Sequence, residues 1–241
     1  MAESATGNVA EQEQVPAPWT GVAVASLAAL AGAGVSLWLW PELPEMVPSG
    51  RAGLDGEPSL TPRWLFAAAM PGVILLLVAV LALGSRVGLR FQRSLQLPTP
   101  WSGRRVRVLM DLFLVLMGAF MLAVHVIVLH GEAGRDLPLS TEHLVVLLMA
   151  AFSVALGLTV PLMRTRDGLD SVAVRWWERA RWPVGVGLML TGVVTGLVGL
   201  LVPGTLWSVL MGVLMMPAIL LGCAFPFVGD QSWRNESRSK A

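Results

Sequence analysis

Cysteine occurs once in this chain, at Cys223 inside an apolar run. An intrachain disulfide and any cysteine-based metal motif are thereby excluded, and the thiol reads as a small packing group. Lysine also occurs once, at Lys240; every other basic residue is Arg. That bias, with the abundance of Ala, Gly and Val, suggests a GC-rich bacterial genome. Charged residues make up only 14% of the 241 residues, well under the roughly 25% of soluble domains. A net charge of +1 leaves no global field to attract nucleic acid. Catalytic signatures are missing as well: the chain has no HExxH, no GxSxG, no P-loop and no aspartate-rich lipid-transferase pattern. It therefore reads as a non-enzymatic protein without cofactor or metal.

Long apolar runs, in contrast, recur along the whole chain. About 20 residues at 1.5 Å rise cross a hydrocarbon core of about 30 Å, and six runs reach that length: Trp19–Trp40, Trp64–Gly84, Val108–His130, His143–Met163, Pro183–Val202 and Leu206–Val228. Only helices satisfy their own backbone at such depth. The expected fold is thus all-α, a polytopic membrane protein with six transmembrane helices. The bilayer is its main partner. An acidic stretch before the first run, with Glu3, Glu11 and Glu13 and no basic residue, does not match a secretory signal. The first run is therefore expected to be a retained anchor.

Basic residues set the expected orientation. Arg86, Arg90, Arg93, Arg104, Arg105 and Arg107 fall between runs two and three. Arg164, Arg166, Arg175, Arg179 and Arg181 fall between runs four and five, and Arg234, Arg238 and Lys240 end the chain. The opposite side holds only Arg51, Arg63 and Arg135. Fourteen against three places both termini in the cytoplasm and residues 41–63 outside the bacterial cytoplasmic membrane. The resulting domain plan has a disordered acidic tail over 1–18, a helix–loop–helix unit over 19–84 and a basic cytoplasmic loop over 85–107. A four-helix membrane region follows over 108–228, with an interfacial segment at 166–182, and then a cytoplasmic tail over 229–241.

The outer connector is rich in proline and glycine: Pro41, Pro44, Pro48, Pro58 and Pro62, with Gly50, Gly53 and Gly56. Fixed φ at the prolines and freedom at the glycines predict a compact, partly rigid cap. Trp38, Trp40 and Trp64 flank it, where indole rings favour the membrane interface.

Leu43-Pro44, Val47-Pro48 and Gly56-Glu57-Pro58, set between two apolar runs, resemble the N-terminal domain of unknown function of the SdpI-type bacterial membrane family. The resemblance covers about residues 20–84. Gly50 stands where that family usually has a His two residues after the second Pro, and the Pro48-to-Gly56 spacing is slightly longer. Trp177, Ala180, Arg181 and Gly185 echo the family's C-terminal spacing more weakly, and the Gly-Ile-Arg-Thr-Pro-Trp element expected before them is absent. The resemblance implies a cytoplasmic-membrane protein with an immunity or signalling role. The family's namesake confers immunity to a secreted killing factor and helps relay its presence to a transcription repressor. By that analogy Leu43, Pro44, Val47, Pro48, Gly56 and Pro58 are candidates for meeting an extracellular ligand such as a secreted peptide. The basic inner loops are candidates for meeting a cytoplasmic protein.

Ionisable groups inside a bilayer raise a functional question by default. Asp111 and His125 lie in the third run, and their spacing puts them on one helix face, about 21 Å apart along the axis. The spacing of Asp111 from Arg107 predicts an ion pair, and His125 reads as a hydrogen-bonded packing residue. The alternative is a small transporter or accessory subunit, with both groups lining a polar path. His130 and His143, near Glu132, Asp136 and Glu142, lack tight ligand spacing and read as a solvated hairpin tip. Gly192 and Gly196 form a GxxxG pair suited to close helix packing. "SVAVRWWERARW" suits a helix at the cytoplasmic interface, its Arg side chains reaching anionic headgroups.

Overall fold

The computed structural model describes residues 17–52, 58–94, 103–165, 172–201, 213, 217 and 219–224. Among these, five helices are long and apolar enough to cross a membrane: Trp19–Leu39, Arg63–Gly84, Gly103–Glu132, Thr141–Leu162 and Val174–Leu201. The chain is a mostly helical membrane protein. Both tails lie outside the described residues except at Ala17 and Pro18, and so does most of the sixth expected span.

The elements run in the order α1 (Trp19–Leu39), β1 (Met46–Ala52), β2 (Pro58–Pro62), α2 (Arg63–Ser94), α3 (Gly103–Glu132), α4 (Thr141–Thr159), a 3₁₀ turn (Val160–Leu162) and α5 (Val172–Leu201). Helix α1 packs on both α2 and α3, while α4 packs chiefly on α5. The Phe120 and Phe152 rings, 4.4 Å apart, join α3 to α4. Helical residues 219–224 lie against α5, where a Cβ on Gly222 would come within 2.7 Å of the Val184 Cα.

Three features depart from the sequence expectation. The first is the pair β1 and β2, which corrects an all-α reading: the connector between α1 and α2 holds an antiparallel two-stranded sheet. Its register pairs Met46 with Pro62, Val47 with Thr61 and Pro48 with Leu60. Pro48 and Pro62 have no N–H, so they fit only the pairs that exchange no hydrogen bonds, leaving the ladder to Val47–Thr61. The next ladder position shows that alternation, with the Arg63 N–H donating to the Glu45 carbonyl at 3.0 Å. Pro48, Pro58 and Pro62 are thus tolerated because both strands of a two-stranded sheet are edge strands.

The second departure is length. α2 runs on to Ser94 and α3 starts at Gly103, so much of the expected basic loop 85–107 is helix. The third is that α5 continues without a break from Val172 through Pro183, so residues 172–182 of the expected interfacial segment 166–182 are its first part, and residues 166–171 lie outside the described residues.

The helix ends follow local chemistry. Ser140 caps α4 by accepting from the His143 N–H, and Glu142 stands in the first turn, where the helix dipole favours an anion. α3 ends at Glu132, and Gly134 just beyond it has a φ of 67° that suits glycine. The Gly134 N–H donates to the Gly131 carbonyl at 3.1 Å and the Arg135 N–H to the His130 carbonyl at 3.0 Å. This Schellman turn sends Arg135 back over the end of α1.

Candidate functional site

The hairpin is fixed to the helices by its alternate apolar residues. Leu43 and Val47 are 3% and 0% exposed, and Leu43 packs with Leu39 of α1 and Leu129 of α3. Both anchor the hairpin to the helices. Pro44 and Pro48, the second residue of each Leu-Pro and Val-Pro pair, face outward. Met46 and Leu60 are exposed beside them, on the sheet face opposite Val47. Pro58 pairs with Ala52 through β2, whereas Gly56 lies outside the described residues. Gly50, where the resembled family has a His, belongs to β1.

A polar strap crosses below the hairpin. Arg135 donates from Nε and Nη2 to the two Glu42 carboxylate oxygens, both at 2.6 Å. Its guanidinium also lies 4.1 Å from the Trp38 ring centre, and the His130 ring sits 6.0 Å from Trp38. The hydrogen bond from Arg135 holds the Glu42 carboxyl below its ordinary range. The same bond raises Arg135. His130 gives Nδ1 to the Val126 carbonyl at 2.8 Å, and His143 is occupied at the α4 cap with Ser140. Among the described residues no cluster of three or more His, Cys, Asp or Glu is placed to hold a metal ion.

Within the bundle, His125 and Ser36 meet. His125 is 3% exposed, and its Nε2 lies 2.8 Å from the Ser36 Oγ and 3.2 Å from the Gly32 carbonyl. The Ser36 hydroxyl also reaches the Gly32 and Ala67 carbonyls, each at 3.0 Å. Gly32 packs closely here, since a Cβ there would stand 3.3 Å from His125 Cδ2 and 3.4 Å from Pro71 Cγ. One point therefore joins α1, α2 and α3. A Ser–His contact of this length is also the geometry of a nucleophile with its base. Here Ser36 is buried in the last turn of α1, its backbone N–H belongs to the helix ladder, and its hydroxyl is committed to carbonyls. The arrangement supplies hydrogen bonds between helices.

Asp111 serves the other end of α1. The helix starts after Pro18 with no side-chain cap of its own. Asp111 Oδ1 accepts from the Gly21 N–H at 2.6 Å, so α3 caps α1. A Cβ on Gly21 would come within 2.7 Å of the Asp111 Cα, and only glycine allows that approach. Arg107 stands 3.6 Å from the other carboxylate oxygen. Sequence reasoning found the Arg107 partner and missed Gly21, 90 residues away. A glycine in the first turn of an uncapped helix was the available signal.

Gly192 and Gly196 face α4. A Cβ on Gly192 would lie 2.7 Å from the Ala150 carbonyl oxygen, and one on Gly196 3.3 Å from the Ala150 Cβ. Gly157 and Gly185 meet in the same seam, each with the other's carbonyl oxygen closer than 3 Å to its added Cβ. The seam ends in a pinned turn. Trp177 donates to the Met163 carbonyl at 2.7 Å. Arg105 of α3 donates to the Thr165 carbonyl at 2.8 Å, and Glu178 accepts from the Thr165 N–H and hydroxyl, both at 2.6 Å. Arg181 donates to the Pro161 carbonyl and pairs with Glu178 at 2.8 Å. Trp177 and Arg181 thus bind protein carbonyls, whereas the sequence pattern suggested headgroups for the Arg side chains.

In comparisons with known proteins, no family model matches the chain, and neither a curated protein nor a solved structure does.

Proposed function

We propose that the chain is a non-enzymatic protein of the bacterial cytoplasmic membrane that senses, or protects against, a secreted peptide, with the β1–β2 hairpin as the receiving surface. The observation that carries this reading is the two-sided build of the hairpin. Leu43 and Val47 are buried against the helices, while Pro44, Met46, Pro48 and Leu60 stand exposed on a stiff frame. A plain connector between α1 and α2 needs neither strands nor buried anchors. A preformed surface lowers the ordering cost of binding, and exposed apolar side chains supply contact area. Proline at 48, 58 and 62 removes edge N–H groups, so recognition through the side-chain face fits better than addition of a peptide strand. The division of basic residues, fourteen against three, supports an outward hairpin, and the SdpI-type resemblance of residues 20–84 supports the class of role.

The test is a sensitivity screen with secreted peptides on cells with and without the gene, repeated with Met46→Asp/Leu60→Asp. The double variant is expected to insert normally and lose protection or response. Equal sensitivity of deleted and intact cells across the screen would remove the proposal.

A further inference from the structure

We infer that Ser36, oriented by His125, replaces the helix hydrogen bond that Pro71 deletes, and so latches the hairpin-bearing start of α2 to the bundle. The ladder of an α-helix needs an N–H at position 71 for the carbonyl of residue 67. Pro71 supplies none, and it lies inside α2. The Ser36 Oγ stands 3.0 Å from that same Ala67 carbonyl. The vacancy and its replacement are thus matched atom for atom, across two helices.

Proton counting assigns the roles. Ser36 has one hydroxyl proton and three acceptors in reach: the Gly32 carbonyl, the Ala67 carbonyl and His125 Nε2. The Gly32 carbonyl already has the Ser36 backbone N–H four residues on, whereas the Ala67 carbonyl lacks that donor. All groups are served when the hydroxyl donates to Ala67 and His125 carries its proton on Nε2, donating to Ser36 and Gly32. The opposite tautomer presents a bare Nε2 at 2.8 Å, which competes for the one Ser36 proton and strips Ala67 of its donor. His125 is therefore a positioning residue, and the node has a latched and an unlatched proton arrangement.

The location gives the latch its reach. β2 ends at Pro62 and α2 begins at Arg63, so the sheet and the first two turns of α2 are one continuous piece as far as the break. Ser36 holds that piece just where the ladder is interrupted. Its use in signalling rests on the sensing role proposed above; the latch itself is tested on the unliganded protein, so the two ideas fail separately.

Amide exchange of residues 63–72 is measured in nanodiscs for the wild type, Ser36→Ala, Pro71→Ala and the double variant. Ser36→Ala is expected to speed exchange in this segment by up to about tenfold, the equivalent of one net hydrogen bond. Pro71→Ala restores an N–H at 71, so in that background Ser36→Ala is expected to change nothing. It should also rescue insertion if Ser36→Ala alone fails. Equal effects in both backgrounds, or none in either, would overturn the latch. Nitrogen NMR on labelled histidine adds a second readout: His125 is expected as the Nε2–H tautomer, with His125→Gln retaining slow exchange through its amide donor. An Nδ1–H tautomer would remove His125 from the device.

Discussion

The contact of α1 with α3 and that of α4 with α5 solve one problem by different means. Both bring helix backbones close through small residues: Gly21, Ala25 and Gly118 in the first, Gly157, Gly185 and Gly192 in the second. In the first, side chains also cross at three levels. Asp111 caps Gly21, His125 meets Ser36, and Arg135 grips Glu42. In the second, mid-helix hydroxyls turn back on their own helices, Ser153 to Met149 and Thr191 to Gly187. Lipid offers no hydrophobic drive between helices, so association rests on packing and hydrogen bonds. The first contact uses both, and it also carries the hairpin. The second brings backbones together at its glycines and ends in the pinned turn.

The largest test of that contrast is steric. Gly192→Leu would drive a branched side chain into the Ala150 carbonyl oxygen, which a Cβ alone already approaches to 2.7 Å. Backbone has no rotamer to yield, so the expected cost is about 3 kcal/mol or more, read as loss of the folded peak after detergent extraction. Gly34→Leu is the control, because a Cβ there meets nothing within 4 Å. Should both behave alike, the seam is not what holds α4 to α5.

The seam was half legible in the sequence and the polar node was not, for a physical reason. GxxxG is a pattern within one helix, and Gly192 and Gly196 reveal a close contact before the partner is known. The Ser36–His125 bond joins residues 89 apart, and finding it needs the relative rotation and height of two helices, which periodicity does not fix. Apolar runs located the five described spanning helices well, because length and hydropathy are local. The hairpin escaped because proline and glycine argue for turns in isolation, and only the cross-strand register shows that Pro48 and Pro62 sit where no N–H is needed.

The cap supplied in trans is the next test. Asp111→Ala leaves the Gly21 N–H and the start of α1 without their acceptor, at an expected cost of about 1–2 kcal/mol. Arg107→Ala, which removes only the ion pair at 3.6 Å, is expected to cost less. Thermal midpoints of the two variants in one detergent decide it. Equal losses would mean that Asp111 acts through Arg107 and that α1 starts unaided.

A smaller effect of opposite sign is expected in the second contact. Thr195 is 4% exposed, and its Oγ1 has no hydrogen-bond partner among the described residues. A buried hydroxyl without a partner carries a desolvation cost, so Thr195→Val, which keeps the shape, is expected to stabilise by about 1 kcal/mol. In the α1 contact the hydroxyl of Ser36 is needed, whereas this one is dispensable. A Thr195→Val protein that melts earlier would show that the second contact also depends on a polar group.

The smallest effect belongs to the strap at the hairpin end, because both partners are solvent-exposed. The bond from Arg135 lowers the Glu42 carboxyl from its ordinary value of 4.5. A carboxyl whose folded value is depressed contributes its stability in full above the unfolded value and loses it as pH falls through the folded one. The raised value of Arg135 is irrelevant in this range, since the guanidinium stays charged throughout. Glu42→Gln keeps the shape and removes the charge. Its thermal midpoint is therefore expected slightly below that of the wild type at pH 7, with the gap closing as the pH falls below the ordinary carboxyl value of 4.5. Added salt should narrow the gap at pH 7, as screening predicts for an exposed pair. A gap that is constant across pH and salt would mean that the strap works through hydrogen-bond geometry and ring contact with Trp38, and that its charge contributes nothing to holding α1 against the turn after α3.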